Sequence, residues 1–258
     1  MTAQFLREHP NVIRVSSVLV FFVLWEFLGR DVNPLFLSYP SAILRAAIII
    51  TSTGELQKAI IASLVPFTIG LTISIVLGIL IGVLTAHFWW LDQATDPFMS
   101  ALNAVPRIAL VPLIILWAGL ETTGKVAILV SIAIFPVIIN TYAGIRDVRG
   151  SLLDIGRAYC ATPSQIFWKI TLPAATPYIL AGIRLSISLA IIGMIVAEFF
   201  TAVSGLGGLI VFFANSFATA KLFVPIIVIA AFGIFMAELV NIVERRLLAW
   251  RDSEQSRS

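Results

Sequence analysis

The strongest constraint on the fold of this sequence is a long stretch without formal charge. No Asp, Glu, Lys or Arg occurs between Lys58 and Asp92, and most of the residues between them are Ile, Leu, Val, Ala or Gly. About 20 consecutive apolar residues in a helix are enough to cross the roughly 30 Å hydrocarbon core of a bilayer. We therefore predict that this stretch is a membrane-spanning helix.

The same apolar character extends over most of the chain. Only 12% of its 258 residues are charged, about half of the roughly 25% of a soluble domain, and its mean hydropathy is +1.01. Six apolar segments lie at about residues 12–28, 59–91, 97–120, 126–145, 177–203 and 223–247. We predict an all-α polytopic membrane protein with six transmembrane helices. Residues 1–258 would form a single domain with its core at about 59–250.

Lys and Arg residues are distributed unevenly between the predicted loops. If the N-terminus is cytoplasmic, most of them lie on the cytoplasmic side, where such residues are enriched in membrane proteins. Both termini are therefore predicted to be cytoplasmic, with residues 146–176 as the longest cytoplasmic loop. Residues 204–222 would form a re-entrant or interfacial segment on the outer side, and residues 41–53 a short interfacial helix. The net charge of +3 is assigned to this bias rather than to nucleic-acid binding.

Few residues of this chain could carry catalysis or bind a metal. It contains one cysteine, Cys160, and two histidines, His9 and His87, which exclude an internal disulfide and a cysteine-based metal cluster. Ser204 is a candidate nucleophile, but it and His87 fall at opposite predicted faces, whereas a nucleophile and its base must meet within about 3 Å. No aspartate lies inside a predicted span. We predict that the chain is not an enzyme and has no catalytic or metal-binding residue.

One short motif resembles a nucleotide-binding loop. Residues 119–126 match the spelling Gly-x-x-x-x-Gly-Lys up to the final position, where Val126 replaces the Ser or Thr that holds Mg²⁺. The motif also joins two predicted spans instead of a strand and a soluble helix. We therefore expect no nucleotide or other cofactor to be bound by this chain.

The second predicted span carries small residues at every fourth position. They are Ala62, Pro66, Gly70, Ser74, Gly78, Gly82 and Ala86. Because small residues let helix backbones approach closely in lipid, this stripe predicts a helix buried against protein. Packing within the chain is the first interpretation, and an interface with another subunit is the alternative.

The predicted cytoplasmic loop carries the most specific motif, between Asp154 and Pro173. It resembles the EAA loop of ABC-type importer permeases, which reads Glu-Ala-Ala, three residues, Gly, nine residues, then Ile-x-Leu-Pro. Cys160 stands at the glycine, so we expect a somewhat different turn there, with Thr162 capping and Pro163 starting the next helix. The resemblance implies that the loop couples the chain to an ATPase through Asp154, Ile155, Gly156, Arg157, Ala158, Tyr159, Cys160, Ala161, Ile170, Leu172 and Pro173.

The resemblance extends over nearly the whole chain, to the nitrate/sulfonate/taurine/bicarbonate branch of these permeases. It is carried by Pro106 with residues 109–113 and 116–119, by Pro136 with Asn140, and by residues 181–184, 197–198 and 205–207. It implies a type I ABC importer (MetI-like) permease fold in the bacterial inner membrane. It also implies four kinds of partner: a second copy of the chain, a cytoplasmic ABC ATPase dimer that uses ATP and Mg, an extracytoplasmic solute-binding protein, and lipid.

The branch also implies the solute. Small oxyanions such as nitrate, a sulfonate, taurine or bicarbonate are expected first, and an aromatic acid or a pyrimidine-type solute is the alternative. An ATP-independent secondary transporter is the alternative from another functional class.

Four polar residues inside the predicted spans are candidates for the translocation path: Asn103, Arg107, Asn140 and Glu198. Ionisable groups in a membrane cost roughly 2.5–3.5 kcal/mol each on insertion scales, so each needs an explanation. Arg107 is predicted near the cytoplasmic boundary. Glu198 could line the path, pair with Arg107 or Arg184, or cap a helix end, and we favour a structural or gating role. Asn103 and Asn140 could equally form hydrogen bonds between helices.

Overall fold

The computed structural model of the chain describes residues 10–201 and 204–247, and within these ranges all regular structure is helical. The helices are α1 (Pro10–Asp31), α2 (Pro40–Ser52), α3 (Glu55–His87), α4 (Trp89–Ala104), α5 (Val111–Ala118), α6 (Thr122–Arg146), α7 (Gly150–Ala158), α8 (Pro163–Ile166), α9 (Leu172–Thr201), α10 (Leu206–Asn215) and α11 (Thr219–Leu247). A 3₁₀ turn at Arg107–Leu110 precedes α5, and a π-helical turn at Phe167–Thr171 joins α8 to α9. The all-α prediction is confirmed.

Five helical stretches in the described ranges are long and apolar enough to cross a membrane: α1, α3, α6, α11 and the continuous rod Pro163–Thr201 that contains α9. The third predicted span is not one helix. Its chain breaks between α4 and α5, where Val105 is extended (φ −79°, ψ 129°) before Pro106. Proline disfavours the helical conformation of the preceding residue, so hydropathy alone overestimated the continuity of this segment.

Helix α6 lies at the centre of the fold, between α3 and α9. The small-residue stripe of α3 packs on it, because a Cβ atom added at Gly78 would lie 2.7 Å from Val137 Cβ. At Gly82 the same distance to Thr141 Cβ is also 2.7 Å. These contacts leave no room for a side chain at Gly78 or Gly82. The first interpretation of the stripe, packing within the chain, is confirmed.

Helix α9 packs on the other side of α6 in the same manner. A Cβ atom at Gly182 would lie 2.9 Å from Asn140 Cβ, and Ser186 Oγ donates a buried hydrogen bond of 2.7 Å to the Ala133 carbonyl. Three elements therefore form one tightly packed body whose backbones are in close contact. Any feature attached to α9 is mechanically connected to α6 and α3.

Helix α1 lies at the periphery, and nearly all its side chains are exposed. It is attached at its C-terminal end, where Glu26 accepts hydrogen bonds from the Ser41 amide (2.9 Å) and the Ser41 hydroxyl (2.8 Å). Trp25 Nε1 donates to the Ser38 carbonyl at 2.9 Å. The helix predicted at residues 41–53 is confirmed as α2, and the carboxylate of Glu26 satisfies its first turn.

Candidate coupling loop and buried polar sites

Helix α7 exposes an apolar stripe to solvent. Leu152, Ile155 and Tyr159 are 39%, 53% and 84% exposed, and their spacing places them on one side of the helix. Asp154 and Arg157 form an ion pair of 3.1 Å beside the stripe, with both side chains largely exposed. An exposed pair of this kind contributes little to stability. The apolar stripe is therefore the distinctive feature of this surface, since large apolar groups on a short exposed helix are typical of a docking surface.

The side of α7 next to this stripe packs on the chain that leads into α9. Gly156 is buried, and a Cβ atom there would lie 2.8 Å from Ile170 Cδ1 and 3.2 Å from Ile166 Cγ1. Any larger residue would push α7 away from these side chains. Gly156 and Ile170, both predicted to belong to the coupling loop, are thus in direct contact.

The end of α7 corrects one expectation. Cys160 has a φ of +53°, the left-handed conformation that glycine adopts without strain. The Ala161 amide donates to the Gly156 carbonyl (3.0 Å) and the Cys160 amide to the Arg157 carbonyl (2.9 Å). These are the two hydrogen bonds of a Schellman motif. The expectation of a different turn is wrong: the backbone takes the left-handed turn that a glycine would adopt without strain, and the cysteine adopts it at a cost.

The start of the next helix is as predicted. Thr162 Oγ1 accepts from the Gln165 amide (3.3 Å), and the Thr162 amide donates to Gln165 Oε1 (2.9 Å), which is a reciprocal capping box. Pro163 occupies the first helical position. Further on, Leu172 begins α9, and Pro173 lacks the amide that would bond to the Lys169 carbonyl. The π-helical turn lies directly before this point.

Two of the path candidates are the asparagines Asn140 and Asn103. The Asn140 amide group donates to the Pro136 carbonyl at 2.8 Å, one turn away on α6. Asn103 lies on α4, and its side chain lies outside the described residues. The described hydrogen bond of Asn140 is thus made within its own helix and not with another path candidate.

Arg107 lies beside the middle of α6. It follows the break between α4 and α5, and its guanidinium carbon is 4.3 Å from the centre of the Phe135 ring. Phe135 is near the middle of α6, so the guanidinium group of Arg107 is level with the middle of this helix. The side chain is half-buried. Contact with an aromatic face stabilises a partly desolvated cation by about 1–2 kcal/mol.

Glu198 of α9 is completely buried, and its carboxyl group contacts the N-terminus of α10. Its Oε1 accepts from Ser63 Oγ at 2.6 Å, and its Oε2 accepts from the Gly207 amide at 2.7 Å. Ser63 Oγ in turn accepts from the Leu206 amide at 2.8 Å. Of the possibilities named above, these contacts favour a structural role. Arg184, one suggested partner, instead contacts Glu244 on α11.

Lys125 is a buried cation that sequence reasoning treated only as part of the nucleotide-binding look-alike. It is 5% exposed, and its Nζ donates to Ser204 Oγ (2.8 Å) and to the Ser204 carbonyl (3.2 Å). Lys125 lies in the first turns of α6, and no strand precedes this helix in the described ranges. The signal available in the sequence was a single Lys at the start of an otherwise uncharged span.

The geometry also separates the residues of the enzyme alternative. Ser204 contacts Lys125 beside the start of α10, close to Ser63 on α3, whereas His87 ends α3. The 24 residues from Ser63 to His87 correspond to about 36 Å of helix. A hydroxyl and an imidazole so far apart cannot act as nucleophile and base.

Comparisons with known proteins agree with one another on the type of protein. A family model described as a binding-protein-dependent transport system inner membrane component matches residues 74–249. The putative aliphatic sulfonates transport permease SsuC of Bacillus subtilis is 40% identical over 158 residues, 61% of this chain and 57% of that protein. The riboflavin transport system permease RibX of Chloroflexus aurantiacus is 33% identical over 253 residues, 95% of this chain and 92% of that protein.

Two solved structures share the fold at low sequence identity. One, described as an amino acid ABC transporter with histidines, has a TM-score of 0.60 and 19% identity, covering 77% of this chain and 96% of that chain. The other, the inward-facing MetNI methionine ABC transporter, has a TM-score of 0.57 and 17% identity, with 77% and 97% covered. The type I importer permease fold that the sequence predicts is confirmed.

Proposed function

The chain belongs to the family of binding-protein-dependent transport system inner-membrane components, and we propose that it carries a small oxyanion such as a sulfonate, taurine, nitrate or bicarbonate. It is a multi-pass inner-membrane permease of an ABC importer and has no catalytic role of its own. ATP hydrolysis takes place on a separate ATPase subunit. The proposal concerns the solute, the path and the way in which the chain is coupled to that ATPase.

Two observations support an oxyanion. Besides the Bacillus protein, the putative aliphatic sulfonates permease SsuC of Escherichia coli is 32% identical over 248 residues, 95% of this chain and 92% of that protein. The observation that carries the proposal is Arg107, a guanidinium at a helix break level with the middle of α6. A guanidinium matches the geometry of oxyanions through paired N–H donors.

The alternative solute is a heteroaromatic compound. Besides the riboflavin permease, the formylaminopyrimidine transport permease ThiX of Halalkalibacterium halodurans is 32% identical over 241 residues, 92% of this chain and 94% of that protein. Such a solute would use the aromatic face of Phe135 more than the charge of Arg107. The two solute classes therefore differ in how strongly uptake depends on Arg107.

We propose that α7 is the coupling helix. Its exposed stripe of Leu152, Ile155 and Tyr159 would insert into a groove of the ATPase, while Gly156 transmits the displacement to Ile170 and the start of α9. In this arrangement two copies of the chain face each other, the 146–176 loops are cytoplasmic, and the end that carries α10 faces outward. A loaded binding protein would dock on that outer end, and ATP-driven closure of the ATPase pair would switch the path between its two openings.

The observations support the candidate path residues to different degrees. Arg107 is the first candidate, because it is a charged group at a break in the helical backbone, where polar backbone groups are also available. Asn103 and Asn140 stay candidates as predicted. The contacts of Glu198 support a role outside the path, which also removes the repulsion that a carboxylate facing an anionic solute would cause.

The test begins with the solute-binding protein that works with this permease. Ligands are screened by thermal shift on that protein, and uptake of the best ligand is measured with the complete complex in proteoliposomes. For an oxyanion, Arg107→Gln should raise the half-saturating concentration of transport at least tenfold, whereas Arg45→Gln, on the short helix α2, should leave it unchanged. Uptake of a neutral heteroaromatic ligand that is insensitive to Arg107→Gln would overturn the oxyanion proposal.

A further inference from the structure

The N-terminus of α10 is held by side chains from all three central helices. Ser63 of α3, Lys125 of α6 and Glu198 of α9 bind the segment 204–207, and we call this set the α10 clamp. We propose that Glu198 is a positioning residue through which α9 moves α10, so that displacement of the coupling loop reaches the opposite end of the bundle. The inference rests on the proposed coupling function of α7.

Both oxygens of the Glu198 carboxylate accept a hydrogen bond in this contact. Its side chain is 0% exposed, and one oxygen is bound by Ser63 Oγ while the other is bound by the Gly207 amide. A buried carboxylate that loses such partners is strongly destabilised. Separation of α9 from α10 would remove the Gly207 amide from Glu198 Oε2 and leave only the bond from Ser63 of α3, so α9 and α10 are expected to move together.

Lys125 holds the same segment from the side of α6. Its ammonium group binds both the hydroxyl and the carbonyl of Ser204, next to the part of the chain that contacts Glu198. A cation and an anion, both buried, are therefore placed on either side of one short turn. Charge compensation of this type is typical of a buried polar network in which each member requires the others.

Close packing removes the freedom of the turn to slide. Gly205 has a φ of +94°, and a Cβ atom there would overlap with the carboxyl group of Glu198. At Gly207 the added atom would lie 2.7 Å from Glu198 Cβ. The backbone of the turn thus lies directly on Glu198, and the contact is too tight for a flexible attachment.

The other end of α9 lies at the coupling loop. Helix α9 is continuous from Leu172 to Thr201, and Ile170, directly before it, contacts Gly156 of α7. The 26 residues from Leu172 to Glu198 correspond to about 39 Å of helix. A packed helix of this length transmits a shift as a rigid body, because protein interiors have low compressibility. The α10 clamp connects that shift to a separate helix.

The experiment uses the complete complex of permease, ATPase and binding protein in proteoliposomes. We compare Glu198→Ala and Glu198→Gln with Glu238→Gln, a matched control on α11 whose exposed carboxylate accepts only from Asn241 in the contacts described. The first readout is the ratio of binding-protein-stimulated to basal ATPase activity per assembled complex. A residue that only stabilises the fold would change the amount of complex and not this ratio.

We expect Glu198→Ala to lower this ratio about 5- to 150-fold, the usual range of coupling between sites. Glu198→Gln should retain part of the stimulation because the amide oxygen can still accept one hydrogen bond. Glu238→Gln should match the unmodified protein. A Glu198→Ala complex that assembles and keeps the normal ratio would overturn the proposal.

A second readout covers the case in which Glu198→Ala does not assemble. A cysteine at position 215 at the end of α10, introduced as Asn215→Cys in a Cys160→Gly background, is labelled with and without ATP. Ser63→Ala, which keeps the Glu198 side chain and removes both hydrogen bonds of the Ser63 hydroxyl, to Glu198 and from the Leu206 amide, should reduce the ATP-dependent change in labelling, and an unaltered change would overturn the proposal. If no tested solute is transported, but ATP still changes the labelling of position 215 and this change still requires Ser63, the solute proposal fails. The proposed role of the α10 clamp is then retained.

Discussion

Replacement of Cys160 by glycine should stabilise the end of α7. A residue with a Cβ atom in the left-handed conformation costs roughly 1–2 kcal/mol, and Cys160 adopts φ +53°. Glycine removes that cost but loses about 0.4–1 kcal/mol through the greater freedom of the unfolded chain. The thiol is exposed, so no packing is lost. With the middle of each range the net gain is about 0.8 kcal/mol, so we expect about 0.5–1 kcal/mol for this turn.

The assay is hydrogen exchange of the backbone amides at positions 160 and 161, which donate the two Schellman hydrogen bonds. A gain of 0.5–1 kcal/mol corresponds to exchange about two- to fivefold slower, since roughly 1.4 kcal/mol is a factor of ten. Cys160→Ala is the matched control, because it removes the thiol and keeps the conformational cost. Equal slowing in Cys160→Gly and Cys160→Ala, or faster exchange in Cys160→Gly, would refute the reasoning.

Two further predictions concern packing and docking. Gly78→Leu should lower the stability of the detergent-solubilised permease, measured by thermal unfolding, by about 1–3 kcal/mol or prevent folding, because its Cβ atom would lie 2.7 Å from Val137 Cβ. The control is Leu80→Ala, on an exposed part of the same helix, which should change stability far less. Tyr159→Ala should leave permease stability within about 0.5 kcal/mol, because the side chain is 84% exposed, but should weaken ATPase binding about 30-fold, the effect of a 2 kcal/mol interface residue. Unchanged ATPase affinity, measured by titration, would argue against docking through this stripe.

The sequence predicts those features that depend on local spacing. The small residues at every fourth position of α3 predict a buried helix face, and Gly78 and Gly82 indeed pack directly on α6. In the same way, Thr162 followed by Pro163 and Gln165 contains the whole chemistry of a capping box. Such predictions succeed because all the interacting groups lie within a few residues or repeat with the period of the helix.

The break between α4 and α5 was visible in the sequence but was overridden by hydropathy. Val105 and Pro106 carry the local signal for an extended residue before a proline. An average over the whole apolar segment conceals one interruption. The position of Arg107 depends on where the chain breaks and on its contact with Phe135.

The α10 clamp lies beyond sequence reasoning because its partners are distant along the chain. Ser63 and Glu198 are 135 residues apart, and Lys125 and Ser204 are 79 residues apart. Each residue taken alone has several possible explanations, as Glu198 did. Only the packing of α3, α6 and α9 decides which polar groups meet, and that packing is a property of the folded chain.

The central claim, that this chain moves solute only with energy received through residues 154–173, is tested by uptake in proteoliposomes. The purified permease is reconstituted with or without its ATPase, in the presence of the loaded binding protein and ATP-Mg. We predict uptake with the ATPase and none without it, with loss of uptake when Ile155 and Tyr159 are both replaced by serine. Uptake by the permease alone down a solute gradient, unaffected by that double substitution, would contradict the account.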